Sequence, residues 1–412
     1  ELLFNSIDFL VFFAFVITIS VIIKNKNFSY VFLVAVSYIF FYFSNNFLIS
    51  LLVFSTVLDF YLAKEIWSTN SKSKKKRLLL ISIIGNLGLL GFFKYADFGI
   101  SQFNDLFKLI GLNEIPLLEI ALPVGISFYT FQTLGYTIDV YRGQLAPAKS
   151  FKEFALFVAF FPQLVAGPIL RASNFLPQIR EKFSQLDTKN YLKQILIQRT
   201  NLKIGLTLMS FGFFKKMFFA DNIAPFVDEI FLNPVGLDSF VILLGTIGFG
   251  IQVYCDFSGY SDIAIGAALI LGFKVPQNFN FPFFATSPTE FWRRWHISLS
   301  TWVRDYVFYP MLNFKSSKLR LFVSVFATLF LIGIWHGAGW NFVIFGIIHG
   351  LYVGIETAIR SIFPSLRNNS FLKSRFGKII SILSTQYLIL MGFLIFRVHN
   401  LEHLSYSVQK LI

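Results

Sequence analysis

The chain contains about ten apolar blocks, each of about 15 to 20 residues, separated by short polar stretches. A helix needs about 20 predominantly apolar residues to cross the hydrocarbon core of a bilayer. Hydrophobic residues make up 55% of the 412 residues and charged residues only 14%, a balance typical of a membrane protein. The pattern predicts an all-α fold class: a polytopic integral membrane bundle with about ten or eleven transmembrane helices.

The apolar blocks place the crossings along the chain. We predict them at about 7–23, 28–43, 46–63, 78–95, 120–138, 204–219, 239–254, 321–335, 341–358 and 379–396. Since no linker or internal repeat is apparent, residues 1–412 are predicted to form a single transmembrane domain. Asp8 and the lack of a basic segment before the first block favour a retained anchor over a signal peptide. Residues 404–412 look like the start of another helix, so the domain is expected to continue into C-terminal helices.

A net charge of +14 would suggest a nucleic-acid partner in a soluble protein. Here the bases crowd certain loops: residues 171–203 carry seven bases and two acids, whereas residues 96–119 carry four acids and one base. This alternation follows the positive-inside rule. It predicts no nucleic-acid partner, and a multi-pass cell-membrane protein in contact with lipids, with residues 64–77 in the cytoplasm and residues 96–119 outside.

Two apolar stretches, 154–170 and 257–272, do not fit as crossings because both flanks of each appear cytoplasmic by charge. The first contains Pro162, Gly167 and Pro168, which would break a spanning helix. Broken backbone at membrane depth is tolerated only when it is buried in protein or lines a cavity. We therefore predict that both stretches are re-entrant and that a cavity lies beside the first.

Two acids lie beside the second stretch, and we favour Asp256 as the N-cap of its helix. Asp262 would either cap the helix or pair with a base such as Arg293 or Arg304. The single cysteine, Cys255, excludes a disulfide framework. No group of residues has the spacing of a metal site, so no metal is expected.

The aromatic and basic segment 274–320, which we expect to lie on the cytoplasmic face, contains a predicted helix start. Residues 287–290, Ser-Pro-Thr-Glu, form a capping box with proline at the first helical position. The predicted helix carries Trp292, Arg293, Arg294, Trp295 and His296. Its composition suits either an interfacial helix anchored by tryptophans or a site for the phosphates of a donor such as coenzyme A. In the second interpretation the donor-binding residues are Arg293, Arg294, Trp295 and Arg304.

Five histidines are candidates for proton transfer: His296, His336, His349, His399 and His403. His336 follows Arg320 by sixteen residues, about 24 Å of helix, which places it inside the bilayer near the outer face. The Gly337-Ala338-Gly339 that follows would end the helix. Imidazole can take a proton from an attacking hydroxyl near neutral pH, so we favour catalysis over a structural hydrogen bond to a neighbouring helix.

The other histidines are ranked lower. His349 lies thirteen residues beyond His336, about 220° round a continuous helix, and is predicted to be structural. His399 and His403 flank an outer loop and are predicted to be solvated. His296 would point toward the buried site in the donor-binding interpretation.

The motif FWRRWHISLSTWVRDY at 291–306, with Trp335-His336-Gly337 forty residues beyond His296, resembles the membrane-bound O-acyltransferase family. It is most similar to the bacterial branch of alginate and peptidoglycan O-acetyltransferases, with the teichoic-acid D-alanylation protein more distant. Residues 123–128, 256–262 and 276–281 also resemble that branch, and the likeness spans most of the chain.

The resemblance implies a catalytic His336, with His296 as the upstream histidine. It also implies an acyl-CoA or other thioester donor, with acetyl-CoA expected, taken from the cytoplasm of a bacterial cell. The acetyl group would pass to a hydroxyl on a cell-envelope glycan or on an extracytoplasmic acetyltransferase. Two other functions stay open on the residues alone: a transporter or flippase with a proton-coupling histidine, and a scaffold that recruits an extracellular enzyme.

Overall fold

The structure is a computed structural model that describes residues 6–23, 25–164, 167–185, 198–312 and 317–412. Within these ranges the chain forms helices and connecting turns, and no strand. The predicted all-α fold class is confirmed. Six stretches are long and apolar enough to cross a membrane: Lys26–Ser68, Lys72–Leu109, Ser239–Ile270, Lys318–His336, Trp340–Ile362 and Arg375–Arg397. The protein is therefore a multi-pass membrane protein, whereas the number of ten or eleven crossings is not confirmed.

The described α-helices follow in chain order, and two of them continue into π-helical turns. They are α1 Ile7–Ile22, α2 Lys26–Asn45, α3 Ile49–Ser68, α4 Lys72–Leu109, α5 Ile126–Tyr141, α6 Phe151–Ala159, α7 Phe161–Leu164, α8 Ala172–Gln185, α9 Arg199–Phe213, α10 Asp221–Leu232, α11 Ser239–Ile270, α12 Pro288–Arg294, α13 Ile297–Val303, α14 Tyr309–Met311, α15 Lys318–His336, α16 Trp340–Ile362, α17 Ser370–Lys373, α18 Arg375–Arg397 and α19 Leu401–Leu411. The π-helical turns are Phe214–Ala220 and Arg304–Phe308.

The chain divides into two compact units. The first, called the N-terminal unit here, comprises Glu1–Phe213 and Gly259–Pro276. In it α3 packs against α4 and α5, and α2 packs against α6. Its centre is filled with buried aromatic side chains, including Phe154, Phe157, Phe160, Phe161, Phe175 and Phe273.

The second unit, called the C-terminal unit, comprises Phe214–Ser258 and Gln277–Ile412. Its central pair is α15 and α16, which approach closely where a Cβ on Gly333 would lie 2.3 Å from the Cα of Gly346. Helix α16 also packs against α12 and α18. This unit contains every histidine of the sequence and positions the candidate site.

The prediction of a re-entrant helix at 257–272 is wrong. Helix α11 runs without a break over 32 residues, about 48 Å, and Asp256 lies inside it instead of capping its start. The carboxylate is tolerated there because Oδ1 of Asp256 lies 2.6 Å from Nζ of Lys216. Asp256, which suggested a helix end, thus has a partner that the local sequence does not reveal.

The acidic stretch 96–119 is also only partly a loop, because α4 continues to Leu109. Asp97 lies on that helix and accepts hydrogen bonds from the backbone N–H groups of Leu118 and Ile120 at 2.7 and 3.0 Å. Asn104 similarly accepts from Ile115 N–H and donates to its carbonyl. These hydrogen bonds hold the non-helical segment that contains Ile115, Leu118 and Ile120 against α4. The following helix therefore begins later than predicted, at Ile126.

The predicted break in 154–170 is confirmed. Helix α6 ends at Ala159, Phe160 takes a non-helical ψ of 105°, and α7 resumes at Phe161 with Pro162 in its first turn. All of these residues are buried. Val165 and Ala166 of the same motif lie outside the described residues, and whether the segment is re-entrant stays a prediction.

Candidate active site

His336 is the last residue of α15, and α16 begins four residues later at Trp340. The predicted helix end is confirmed. A Cβ on Gly337 would clash with the ring of Phe342, so any larger residue there would force that ring to shift. The imidazole of His336 is half-buried, with ring centroids of Trp335 and Phe396 at 4.8 and 5.1 Å.

His296 does not lie on the capped helix, so that part of the prediction is wrong. Ser287 caps α12 as expected, its Oγ accepting from the N–H of Glu290 at 3.2 Å, but the helix ends at Arg294. His296 then adopts a left-handed φ of 45°, a conformation that histidine accepts more readily than most residues. The reason is tertiary, because Asn278 accepts hydrogen bonds from the N–H groups that follow, with its carbonyl and side-chain oxygens.

The imidazole of His296 is buried, at 1% exposure, between aromatic rings. Phe257 and Trp335 contact it with centroids at 4.6 and 5.7 Å. Neither ring nitrogen has a hydrogen-bond partner among the described residues. Burial, and then the nearby His336, hold the pKa of His296 well below its ordinary value, so it is neutral at pH 7.

Trp335 connects the two histidines, since its ring contacts both His296 and His336. The two imidazoles are near enough for a positive charge on His336 to lower the pKa of His296. The structure thus brings together two histidines that are forty residues apart in sequence. One is half-buried at a helix end, and the other is fully buried, neutral and without a hydrogen-bond partner among the residues that the structure describes.

The other histidines have simpler surroundings. His349 is buried, and its Nδ1 accepts a hydrogen bond from Nε1 of Trp292 at 3.2 Å. Its polar atom is thereby satisfied within the protein core, in line with a structural role. His399 is exposed beside the ring of Phe342, and His403 is half-buried.

Two of the four candidate donor-binding residues are engaged by the protein itself. Arg294 pairs with Glu290 at 2.7 Å and donates to the carbonyl of Asn280. Although burial opposes ionisation of Glu290, hydrogen bonds from Thr286 and Arg294 hold the pKa of its carboxyl below the ordinary value. Trp295 is buried and stacks on Phe291 with centroids 5.4 Å apart.

The other two, Arg293 and Arg304, line one cavity of about 310 Å³ in the C-terminal unit. Both side chains are exposed, and Arg304 also pairs with Asp305 at 2.8 Å. The opposite wall is apolar and comes mainly from α15, with Leu321, Val325, Leu329 and Ile332. Ile332 lies one turn before His336, on the same face of the helix. The cavity therefore combines two guanidinium groups with an apolar wall that leads toward His336.

Comparison with known proteins gives the family of the chain. The family model described as MBOAT, membrane-bound O-acyltransferase family, matches residues 144–401, which include both histidines and the cavity. The chain belongs to the membrane-bound O-acyltransferase family. The family assignment shows that the protein is an O-acyltransferase enzyme of the membrane, as the sequence resemblance implies.

Among similar acyltransferases, the probable alginate O-acetylase of Azotobacter vinelandii is 36% identical over 90% of this chain and 70% of its own length. The peptidoglycan O-acetyltransferase of Helicobacter pylori is 35% identical over 92% of this chain and 73% of its own. The teichoic acid D-alanyltransferase of Bacillus subtilis is 29% identical over 68% of this chain and 70% of its own. The names of these three relatives specify three different acceptors: alginate, peptidoglycan and teichoic acid.

One charged group in this acyltransferase is absent from the sequence-based candidates. Lys216, in the π-helical turn Phe214–Ala220, lies 2.8 Å from Asp221 and 2.6 Å from Asp256, and its side chain is only 14% exposed. A lysine inside an apolar stretch is the sequence signal that would have indicated it. Among the described residues, no group of three or more His, Cys, Asp or Glu side chains is arranged to hold a metal ion.

Proposed function

We propose that the protein moves an acetyl group from a cytoplasmic thioester, acetyl-CoA, to a hydroxyl outside the membrane, with His336 as general base. The acceptor is a cell-envelope polysaccharide or an extracytoplasmic partner transferase. The observation that carries the proposal is the location of His336 at a helix end, one turn beyond Ile332, which lines the cavity that holds the two arginines. The names of the relatives support acetyl as the acyl group and a glycan as the acceptor.

The proposed reaction needs one proton carrier. His336 takes the proton of the acceptor hydroxyl as its oxygen attacks the thioester carbonyl, and the carbon–sulfur bond then breaks. The imidazolium returns the proton to the departing thiolate, which leaves as free thiol. The products are the O-acetyl ester and coenzyme A, so atoms and charge balance.

His296 supports this step as a neutral group. Since its nitrogens have no partner among the described residues, one of them is available to accept a hydrogen bond from the acceptor hydroxyl or from His336. Its low pKa keeps it from becoming a second positive charge beside the imidazolium. We therefore assign it the role of orienting the proton transfer.

The arginines of the cavity would bind the donor. Arg293 and Arg304 present guanidinium groups, which suit bidentate contacts with phosphates, while the wall from α15 suits the apolar part of the donor. Arg294 and Trp295, the other predicted donor contacts, would act indirectly by holding α12 through Glu290 and Phe291.

We further propose that residues 1–412 form one transmembrane domain with ten crossings. The six stretches long enough to cross include Lys26–Ser68, which contains both α2 and α3. The shorter helices α1 and α5, and α9 with its π-helical continuation, would add three crossings. Segments α6 to α7 and α12 to α14 would be re-entrant or interfacial.

The decisive experiment measures transfer of labelled acetyl from acetyl-CoA by purified protein in liposomes. The comparison is with His336→Ala of equal thermal stability, and with His399→Ala as a control at an exposed histidine. We expect label on a glycan or partner protein with the wild type and the control, and a fall of about 10²- to 10⁴-fold for His336→Ala. Equal transfer by all three proteins would overturn the role of His336, and solute flux without any acyl donor would favour a transporter.

A further inference from the structure

The N-terminal unit contains a second cavity, of about 510 Å³, that the proposed acyl transfer does not use. We call it the basic cleft. It is lined by Lys26 at the start of α2, Lys149 and Lys152 at the start of α6, and Arg180 of α8. By the positive-inside rule these basic segments lie in the cytoplasm, and α2 begins a candidate membrane stretch at Lys26. The basic cleft therefore lies at the cytoplasmic boundary of the membrane.

One arginine of the basic cleft is fixed by a buried acid. Nε and Nη2 of Arg180 lie 2.6 and 3.1 Å from the two carboxylate oxygens of Glu153, whose side chain is 4% exposed. The backbone N–H of Lys149 also donates to Glu153, at 2.7 Å. The negative charge of Glu153 is thus already neutralised within the protein, and the wall carrying Lys149 is held rigidly.

The lining of the basic cleft carries a net positive charge. The cleft lining has four bases and two acids, Glu153 and Glu181, and no ion pair of Lys26 or Lys149 is seen in the described part of the chain. Lys152 lies over the ring of Tyr30, with Nζ 4.5 Å from the ring centre. Tyr30 in turn stacks on Phe183 with ring centroids 4.1 Å apart, and this aromatic pair lines the same cleft as the bases.

We propose that the basic cleft binds a phosphate-bearing anion at the cytoplasmic membrane face. The three lysines that line the cleft beside the stacked Tyr30 and Phe183 suit a phosphate group, whose oxygens accept hydrogen bonds from several ammonium groups at once. A phospholipid headgroup and a free phosphate share this chemistry, and basic pockets at the cytoplasmic ends of membrane helices bind anionic lipid headgroups.

The test uses the full chain with Lys149→Gln and Lys152→Gln combined. These lysines can be changed without leaving Glu153 unpaired, since Arg180 stays in place. The matched control combines Lys75→Gln and Lys76→Gln, the same loss of charge in the first turns of α4 outside the cleft. If the double variant fails to fold, Lys26→Gln tests the same cleft from α2.

Two arms distinguish the sources of the phosphate. Native mass spectrometry counts retained phosphatidylglycerol against phosphatidylcholine, and thermal unfolding in neutral detergent follows a titration with inorganic phosphate. We expect the cleft variant to bind at least one probe about tenfold more weakly than wild type, and the control to bind like wild type. If only the retention of phosphatidylglycerol is lost, the ligand of the cleft is a lipid headgroup. If the stabilisation by inorganic phosphate is lost, the ligand is a soluble anion. Equal loss in both variants, or no binding of either probe to the wild type, would overturn the proposal.

Discussion

Two buried polar groups in this protein differ in whether their polar atoms have partners. In the N-terminal unit, Asp59 is fully buried and accepts hydrogen bonds from Ser82, from Thr137 at 2.6 Å and from Asn86 at 2.6 Å. In the C-terminal unit, His296 is equally buried, yet both ring nitrogens lack a partner among the described residues. A satisfied cluster holds helices together, whereas an unsatisfied imidazole costs stability, which fits the proposed role of His296 in orienting the proton transfer.

After His336→Ala, the largest expected effect comes from removing the unsatisfied imidazole of His296. His296→Asn keeps a side chain that tolerates the left-handed backbone but removes the imidazole nitrogens that would orient the proton transfer. We expect acetyl transfer to fall about 10²-fold or more while the free energy of unfolding changes by less than about 1 kcal/mol. Transfer rates and thermal unfolding in detergent measure both quantities, with His399→Asn as the control. A large loss of stability with normal transfer per folded molecule would make His296 structural.

The opposite outcome is expected for the satisfied cluster. Asp59→Leu leaves the side chains of Ser82, Asn86 and Thr137 without their acceptor, so we expect the free energy of unfolding to fall by about 3 kcal/mol. Transfer per folded molecule should stay near the wild-type value. Asp59→Asn, which keeps one acceptor oxygen, should lose less stability. If Asp59→Asn instead abolishes transfer in a stable protein, the two buried groups are both functional.

The same contrast between engaged and available groups applies to neighbouring arginines. Arg293 lines the cavity, whereas Arg294 pairs with Glu290. We expect Arg293→Gln to raise the KM for acetyl-CoA about tenfold with little change in stability, as one charge-assisted contact would be lost. Arg294→Gln should lower the unfolding temperature more than it changes KM. The assignment of the donor to this cavity fails if KM is unchanged in Arg293→Gln.

The smallest effect is a pH dependence of stability. The folded state holds the pKa of His296 below its ordinary value of 6.5, so below that pH the unfolded chain takes up a proton that the folded chain does not. Stability from this residue is therefore complete above pH 6.5 and falls as the pH drops, by up to about 1.4 kcal/mol per pH unit. Thermal unfolding between pH 8 and pH 5.5 should show a smaller slope for His296→Asn than for the wild type. Identical slopes would mean that other groups dominate.

Sequence alone predicted the features that depend on local composition. The apolar blocks predicted the all-α membrane class. Ser287 predicted the start of α12, and the glycines after His336 predicted the end of α15. These follow from hydrogen-bond satisfaction in a bilayer and from helix capping, both of which act within a few residues. The family could also be predicted, since its histidine motifs are local patterns.

Tertiary contacts decided the rest. Asp256 stays inside a helix because Lys216, forty residues away, neutralises it, and α12 ends before His296 because Asn278 supplies the acceptors for the following N–H groups. Packing of segments far apart in sequence also brings His296 into contact with Trp335. The same packing places residues of α15 opposite Arg293 and Arg304 in one cavity. The physical reason is that a polar group in a membrane protein is satisfied by whichever partner packing brings near, and its own neighbours in sequence do not specify that partner.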